Sequence, residues 1–281
     1  MPHPVFVGIT MDQKLIEELW KLQIDPSREA SSILVETHIS ADEGQWIQLE
    51  ILGRWLNEGE ELGGWKIGMT SGDSRDALGK GIRPFGFVLR NRLFQSGVHI
   101  PRATLHNGGV ENELCFFVGE NADTEKNAKK QGWEIVSCAA GFEINQKRLP
   151  VGCAPGIRVA DNLSNWGIVA ADRVKPPKHL ERLQVTLKKY PMVENDVEIE
   201  IATVKSEGHI DNHYQSLETL TDRLAEFGHN LEPGQWVITG AYGKHPFEEA
   251  KFEGAFDLGL GSVEVTLTPT QSLKRPLSLG G

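Results

Sequence analysis

The chain has 281 residues, enough for one large domain or two small ones, with the composition of an ordinary soluble globular protein. Its formal net charge of −10 argues against nucleic acid or an anionic membrane as partner, because both need a basic surface. No apolar run approaches the roughly 18 residues of a membrane helix, Met1-Pro2-His3-Pro4 carries no secretory pattern, and three cysteines without a CxxC pair suit free thiols in the cytoplasm.

In chain order, Leu15, Ile16, Leu19, Trp20 and Leu22 form a helical stripe over 11–23. Trp46, Ile47, Ile51, Trp55 and Leu56 do the same over 41–57, with Asp42 as the expected cap and Gly59 past the end. Residues 1–62 therefore read as a small, mainly helical region. From Gly63 the texture changes to short apolar runs separated by glycine and proline. Strands are predicted at 64–69, 87–89, 110–118, 134–144, 183–188, 197–204, 235–238 and 262–267. One helix interrupts them at 216–227, where Leu217, Leu220, Leu224 and Phe227 share a face between Ser216 and Gly228. The basic stretch 126–130 reads as a solvated turn, and 269–281 as a loose tail. Strands dominate and helices are not regularly interleaved. The expectation is an α+β, mostly β fold, with a mixed β core over 63–268 rather than a doubly wound sheet.

Glu111 and Glu113 stand two apart at the head of the run 110–118, so a strand presents both to one side and buries Val110, Leu114 and Phe116 on the other. Two carboxylates that close repel unless neutralised, and a hard dication is the usual solution. A solvated strand edge is the ordinary alternative. In 64–69, Lys66 lies between Trp65 and Ile67 and beside glycines that let a ligand or a strand come close. Desolvation near a cavity would weaken its hold on its proton and suit it to acid–base work. Glu143, flanked by Phe142 and Ile144, adds a third carboxylate of the kind a hard metal requires. Asp161 and Asn162 sit in a polar patch that reads as a turn. Val237-Ile238-Thr239-Gly240 reads as a strand ending in a turn whose N–H groups are able to hold a carboxylate. His209 and His213 have a helical metal-pair spacing, but Gly208 and Asp211-Asn212 interrupt it, so a surface loop or substrate-facing lid is the better reading. No GxSxG elbow and no GxGxxG loop is present.

Together these segments resemble one family, the 2-hydroxypenta-2,4-dienoate (2-keto-4-pentenoate) hydratases and 4-oxalocrotonate decarboxylases of the fumarylacetoacetate hydrolase superfamily. The resemblance runs from about Gly63 to Leu267. It rests on Gly64-Trp65-Lys66-Ile67-Gly68-Met69-Thr70-Ser71, Val110-Glu111-Asn112-Glu113, Ala160-Asp161-Asn162, Thr239-Gly240 and Leu260-Gly261-Ser262-Val263. It implies a fumarylacetoacetate-hydrolase-like fold and Mg²⁺ or Mn²⁺ held by Glu111, Glu113 and Glu143. It also implies Lys66 as the proton-handling residue, with Asp161, Asn162 and Thr239 around the pocket. The implied substrate is a small 2-oxo or 2-hydroxydienoic acid, turned over by a homo-oligomer in aromatic-compound degradation. Pro84 stands where many members carry an acid used in proton handling, and the neighbouring Arg83 is a candidate for a second substrate carboxylate. Loop 205–216 also departs from the family pattern. Hydration is the leading reading. Decarboxylation of a 2-oxo-enedioate, acylpyruvate-type C–C hydrolysis with Glu36-Thr37-His38 as a conceivable donor, and a non-catalytic partner subunit remain as alternatives.

Overall fold

The computed structural model describes residues 12–119, 136–192 and 197–269. The N-terminal pattern, the basic stretch 126–130 and nearly all of the expected tail lie outside them.

Helix α1 (Gln13–Ile24) starts where the Asp12 carboxylate accepts the N–H groups of Lys14 and Leu15. After the single turn α2 (Ile33–Glu36), α3 (Ala41–Asn57) is capped by Ser40 rather than by Asp42. Ser40 and Glu43 satisfy each other's backbone N–H groups, a reciprocal cap that a lone Asp42 does not provide. Further on come β1 (Leu62–Ile67), β2 (Phe85–Leu89), β3 (Leu93–Gln95), β4 (Val98–Pro101), β5 (Asn107–Val118) and β6 (Val136–Lys147). They are followed by α4 (Pro155–Ala160), β7 (Asn165–Ala170), β8 (Gln184–Pro191) and β9 (Ile199–Lys205), then by α5 (His213–Glu226), β10 (Trp236–Pro246), β11 (Ala250–Phe256) and β12 (Gly261–Thr268). All eight predicted strands are present. β3, β4, β7, β11 and α4 were not foreseen. Helix α5 begins three residues before the predicted start because Asn212, not a later residue, accepts the Gln215 N–H as its cap.

The strands form a seven-stranded sheet, β2-β1-β10-β5-β6-β7-β3, and a five-stranded sheet, β4-β12-β11-β8-β9. Alternation along β5 and β6 sends Val110, Leu114, Phe116, Phe142 and Ile144 into the main core, which also holds Leu15, Leu19, Ile47 and Ile51 of the helices. Cys115, Ala139, Ile168 and Ile238 form a smaller apolar cluster apart from that core. Helix α3 is fastened to the sheet by buried amides. Gln45 and Gln48 both donate to the Phe85 carbonyl, and Gln48 also reaches the Val159 carbonyl on α4. The fold is thus α+β and mostly strand, as expected. No helix among the described residues is long and apolar enough to cross a membrane.

Candidate metal centre and active site

In the β5–β6 ladder Glu111 lies opposite Glu143, and Glu113 lies opposite Gly141. Residues directly opposite share a face, so all three carboxylates point the same way. Gly141 makes the packing possible, since a Cβ there would fall 2.2 Å from the Cys115 sulfur. One oxygen from each glutamate lies within 4.8 Å of the others. Glu143 is fully buried and Glu113 nearly so. Burial, then repulsion from Glu143, holds the Glu111 carboxyl above its ordinary range and the Glu113 carboxyl well above it.

Lys66 reaches this cluster from β1. Its Nζ donates to Glu143 Oε1 at 2.6 Å, and Asn165 Nδ2 donates to the same oxygen at 2.8 Å. Glu143 Oε2 is buried with no partner among the described residues. Burial alone would lower the Lys66 pKa, as its sequence setting suggested. The attraction of Glu143 and Glu111 outweighs it, and the pKa is raised. The group is a firmly held ammonium in this state, not a lysine easily stripped of its proton.

Strand β10 runs past the point where the Thr-Gly pair was expected to end it. It does so through two bulges. Ile238 faces Cys115, Ala241 faces Glu113 and Lys244 faces Glu111, so each step of three residues on β10 spans two on β5. Gly240 and Gly243 supply the φ values of +147° and +148° at these irregularities. The first bulge aims the Gly240 N–H at Glu113 Oε2, 2.6 Å away. An N–H of this segment does hold a carboxylate, and the carboxylate is the protein's own.

These groups open onto a cavity of about 290 Å³, lined further by Gly68, Thr70 to Ser74, His209 and Lys244. That volume is at the lower limit for ligand pockets and suits a small acid. Lys244 lines the same wall opposite Glu111, and its charge draws the Glu111 carboxyl partly back down. The His209 Nε2 lies 3.2 Å from the Ala241 carbonyl, which only accepts. The neutral ring therefore carries its proton on Nε2 and leaves Nδ1 as an acceptor.

Four other expected residues stand behind or beside the wall. Arg83 is absent from the lining because its guanidinium already bridges Asp76 at 2.7 Å and Asp211 at 2.8 Å. Asp161 is fully buried, its Oδ1 accepting from Arg148 Nε at 2.9 Å and Gln23 Nε2 at 3.1 Å, a tie between α1 and the end of α4. Asn162 grips β2, accepting from the Phe87 N–H and donating to the Phe87 carbonyl. It opens a run of three left-handed residues, Asn162, Leu163 and Ser164, at φ of 58°, 50° and 64°. This strained turn delivers Asn165 to Glu143. Thr239 faces His213, whose Nδ1 is 2.7 Å from its Oγ1. His209 and His213 do not form a metal pair, one being on the cavity wall and the other buried behind it. His38 does not line the cavity either. Asn165, Arg148, His209 and Lys244 were not singled out as site residues, although Asn165 follows Asp161 and Asn162 by only a few positions.

The architecture and its acidic centre define a protein of the fumarylacetoacetate-hydrolase fold class. Solved structures with that fold include 4-oxalocrotonate decarboxylase from Pseudomonas putida G7, complexed with magnesium and adipate, which covers 93% of this chain with a TM-score of 0.78 at 18% identity and is itself covered in full. Fumarylpyruvate hydrolase from Pseudomonas aeruginosa, in complex with Mn²⁺ and pyruvate, covers 73% at a TM-score of 0.53 and 16% identity, with 89% of its own chain matched. Within this class the sequence relatives are 2-keto-4-pentenoate hydratases. The one from Paraburkholderia phymatum is 28% identical over 215 residues, 75% of this chain and 79% of the relative. The one from Paraburkholderia xenovorans is 24% identical over 238 residues, 83% and 86% of the two chains. No protein-family model matches the chain. The resemblance read from the motifs is borne out by these relatives and neighbours.

Proposed function

We propose that the chain is a metal-dependent hydratase, a lyase that adds water to a small 2-hydroxydienoic or 2-oxo-enoic acid in aromatic-compound degradation. The observation that carries this reading is the convergence of Glu111, Glu113 and Glu143, with one buried oxygen of Glu143 unpartnered. Their all-oxygen donor set suits Mg²⁺ or Mn²⁺. Charge also fits, since three carboxylates outnumber the ammonium groups of Lys66 and Lys244 on the wall and leave negative charge for a dication to offset. The names of the sequence relatives support hydration. When bound, the metal supplies Lewis-acid polarisation of the substrate's carboxylate and 2-oxygen.

The chain's own groups supply the rest. The Lys66 ammonium holds a proton at Nζ and delivers it to the dienol carbon as the substrate ketonises, and the amine left behind takes up the proton that the 2-hydroxyl gives up. Asn165 keeps Glu143 oriented, and the Gly240 amide does the same for Glu113. With Pro84 in place of an acid, His209 Nδ1 accepts the proton of the attacking water. The three free cysteines are in keeping with a cytoplasmic enzyme, and the proposed enzyme is a homo-oligomer.

A panel of 2-hydroxypenta-2,4-dienoate, 2-hydroxymuconate and acylpyruvates, each with EDTA or added Mg²⁺, tests the assignment. Mg²⁺-dependent loss of dienoate absorbance without CO₂ release is expected. Turnover that survives metal removal, or silence on every substrate, refutes it. One observation favours decarboxylation as a second reading, namely that Lys244 puts a second cation beside Lys66 on the cavity wall, able to meet a distal carboxylate. In that case CO₂ appears, and Lys244→Ala raises KM for the dicarboxylate alone.

A further inference from the structure

The Thr239–Gly240 peptide unit sits inside the first β10 bulge, between the pairs Ile238–Cys115 and Ala241–Glu113, where the ladder to β5 is interrupted. Its two ends are both engaged. The Thr239 carbonyl accepts from Thr70 Oγ1 at 2.9 Å, and the Gly240 N–H donates to Glu113 Oε2 at 2.6 Å. Because a peptide unit is planar, these ends turn together, and whatever fixes Thr239 fixes the hydrogen bond to Glu113. Helix α5 supplies that constraint. His213 is its first residue and is 3% exposed. Its Nδ1 lies 2.7 Å from Thr239 Oγ1, and its Nε2 lies 2.6 Å from the hydroxyl of Tyr242, on the far side of the bulge. Tyr242 is held in turn by Ser206 Oγ at 2.6 Å. The imidazole thus spans the irregular segment and grips it on both sides.

We propose that His213 is a positioning residue of the metal centre, bridging Thr239 and Tyr242 so that the Gly240 amide keeps Glu113 turned toward the ion. It touches neither substrate nor metal. The role rests on the metal-dependent reading above and concerns affinity for the ion rather than the chemical step. A histidine that only fills space would leave metal affinity unchanged when replaced by a ring of similar size.

Mn²⁺ binding to the purified protein, followed by the electron paramagnetic resonance of the free ion, separates the two roles without any turnover assay. His213→Phe keeps an aromatic ring and removes both hydrogen bonds. Its Mn²⁺ dissociation constant is expected to rise about 10- to 100-fold, the usual effect of losing a supporting residue outside the ligand set. Thr239→Val cuts one of the two bonds while leaving the ring in place, and it decides the matter alone if His213→Phe does not fold. It is expected to weaken binding in the same direction. The double variant is expected to be no weaker than the worse single one, because both act through one peptide unit. Folded variants that bind Mn²⁺ as tightly as the wild type, or effects that simply add, overturn the positioning role. Loss of binding in Glu113→Gln beside wild-type affinity in both other variants sinks this role and leaves the metal site standing. Failure of the wild type to bind Mn²⁺ sinks both.

Discussion

Lys66 and Glu143 form an ion pair from which water is almost wholly removed, so deleting either partner strands a buried charge. Glu113 lies outside that pair, so replacing it and replacing Lys66 have different effects. Glu113→Ala takes away a proposed ligand, so Mg²⁺-dependent turnover should disappear while the fold is retained. Wild-type rates in the metal-stripped variant would dismiss the metal role. Lys66→Ala takes away the proposed acid and also a cation that competes with the ion for Glu143. Its kcat should fall about 10²- to 10⁴-fold, with Mn²⁺ affinity unchanged or tighter in an equilibrium titration. Unchanged turnover would remove Lys66 from the mechanism. These side chains were legible because two-residue alternation and an out-of-place lysine mark a strand face. Their supports were not. The Gly240 segment reads as a turn able to hold a carboxylate, but nothing in the sequence names Glu113 as that carboxylate. Arg148 meets Asp161 only through tertiary packing. Arg83 looked free in the sequence because nothing local shows Asp211, 128 positions away, closing on it.

At the level of elements, α3 shows how neighbours decide what a glycine does. Gly44 and Gly53 both lie inside this helix, where alanine is intrinsically better by about 0.5–1 kcal/mol. A Cβ on Gly53 meets nothing within 4 Å, whereas one on Gly44 would lie 2.1 Å from the Gly156 carbonyl oxygen on α4. Gly53→Ala should therefore raise the urea midpoint. Gly44→Ala should lower it by about 1–3 kcal/mol of stability, as overpacking against a rigid backbone does. Equal shifts in both variants would show that the Gly156 carbonyl yields to the added methyl group. The same dependence on neighbours explains the missed elements. Strand β10 was cut short because Gly240 and Gly243 look like terminators, whereas they accommodate bulges. In β11 the buried and half-buried positions alternate, but Gly254 stands in its apolar row and weakens the pattern. Strand β7 begins at Asn165 in a polar segment, the composition of a turn.

For the molecule as a whole, acid stability reflects burial. Desolvation depresses the His213 pKa from 6.5 to about 4. Below pH 6.5 the unfolded chain takes up this proton and the native one does not, so the native state loses stability until about pH 4. The loss is about 3 kcal/mol. The raised carboxyls of Glu111, Glu113 and Asp161 act in the opposite sense, since they are protonated in the native state first. The clean measurement is therefore a difference. Denaturation midpoints of His213→Gln, compared with wild type from pH 7 to 4, should converge as the pH falls. Parallel curves would mean that the imidazole titrates normally in the folded protein. The arrangement of the sheets was the part least open to reading in advance, because pairing β1 with β10 and β4 with β12 joins segments far apart in the chain.

The Gly240 contact has a practical corollary for anyone surveying this enzyme by mutagenesis. Its donor belongs to the main chain, so no side-chain replacement removes it cleanly: any residue at 240 strains a φ of +147° and crowds Thr70, and proline takes the N–H but adds a ring. Only an atom-level edit, such as a semisynthetic protein with an ester oxygen in place of that one nitrogen, takes the hydrogen away and leaves all twenty-letter information intact.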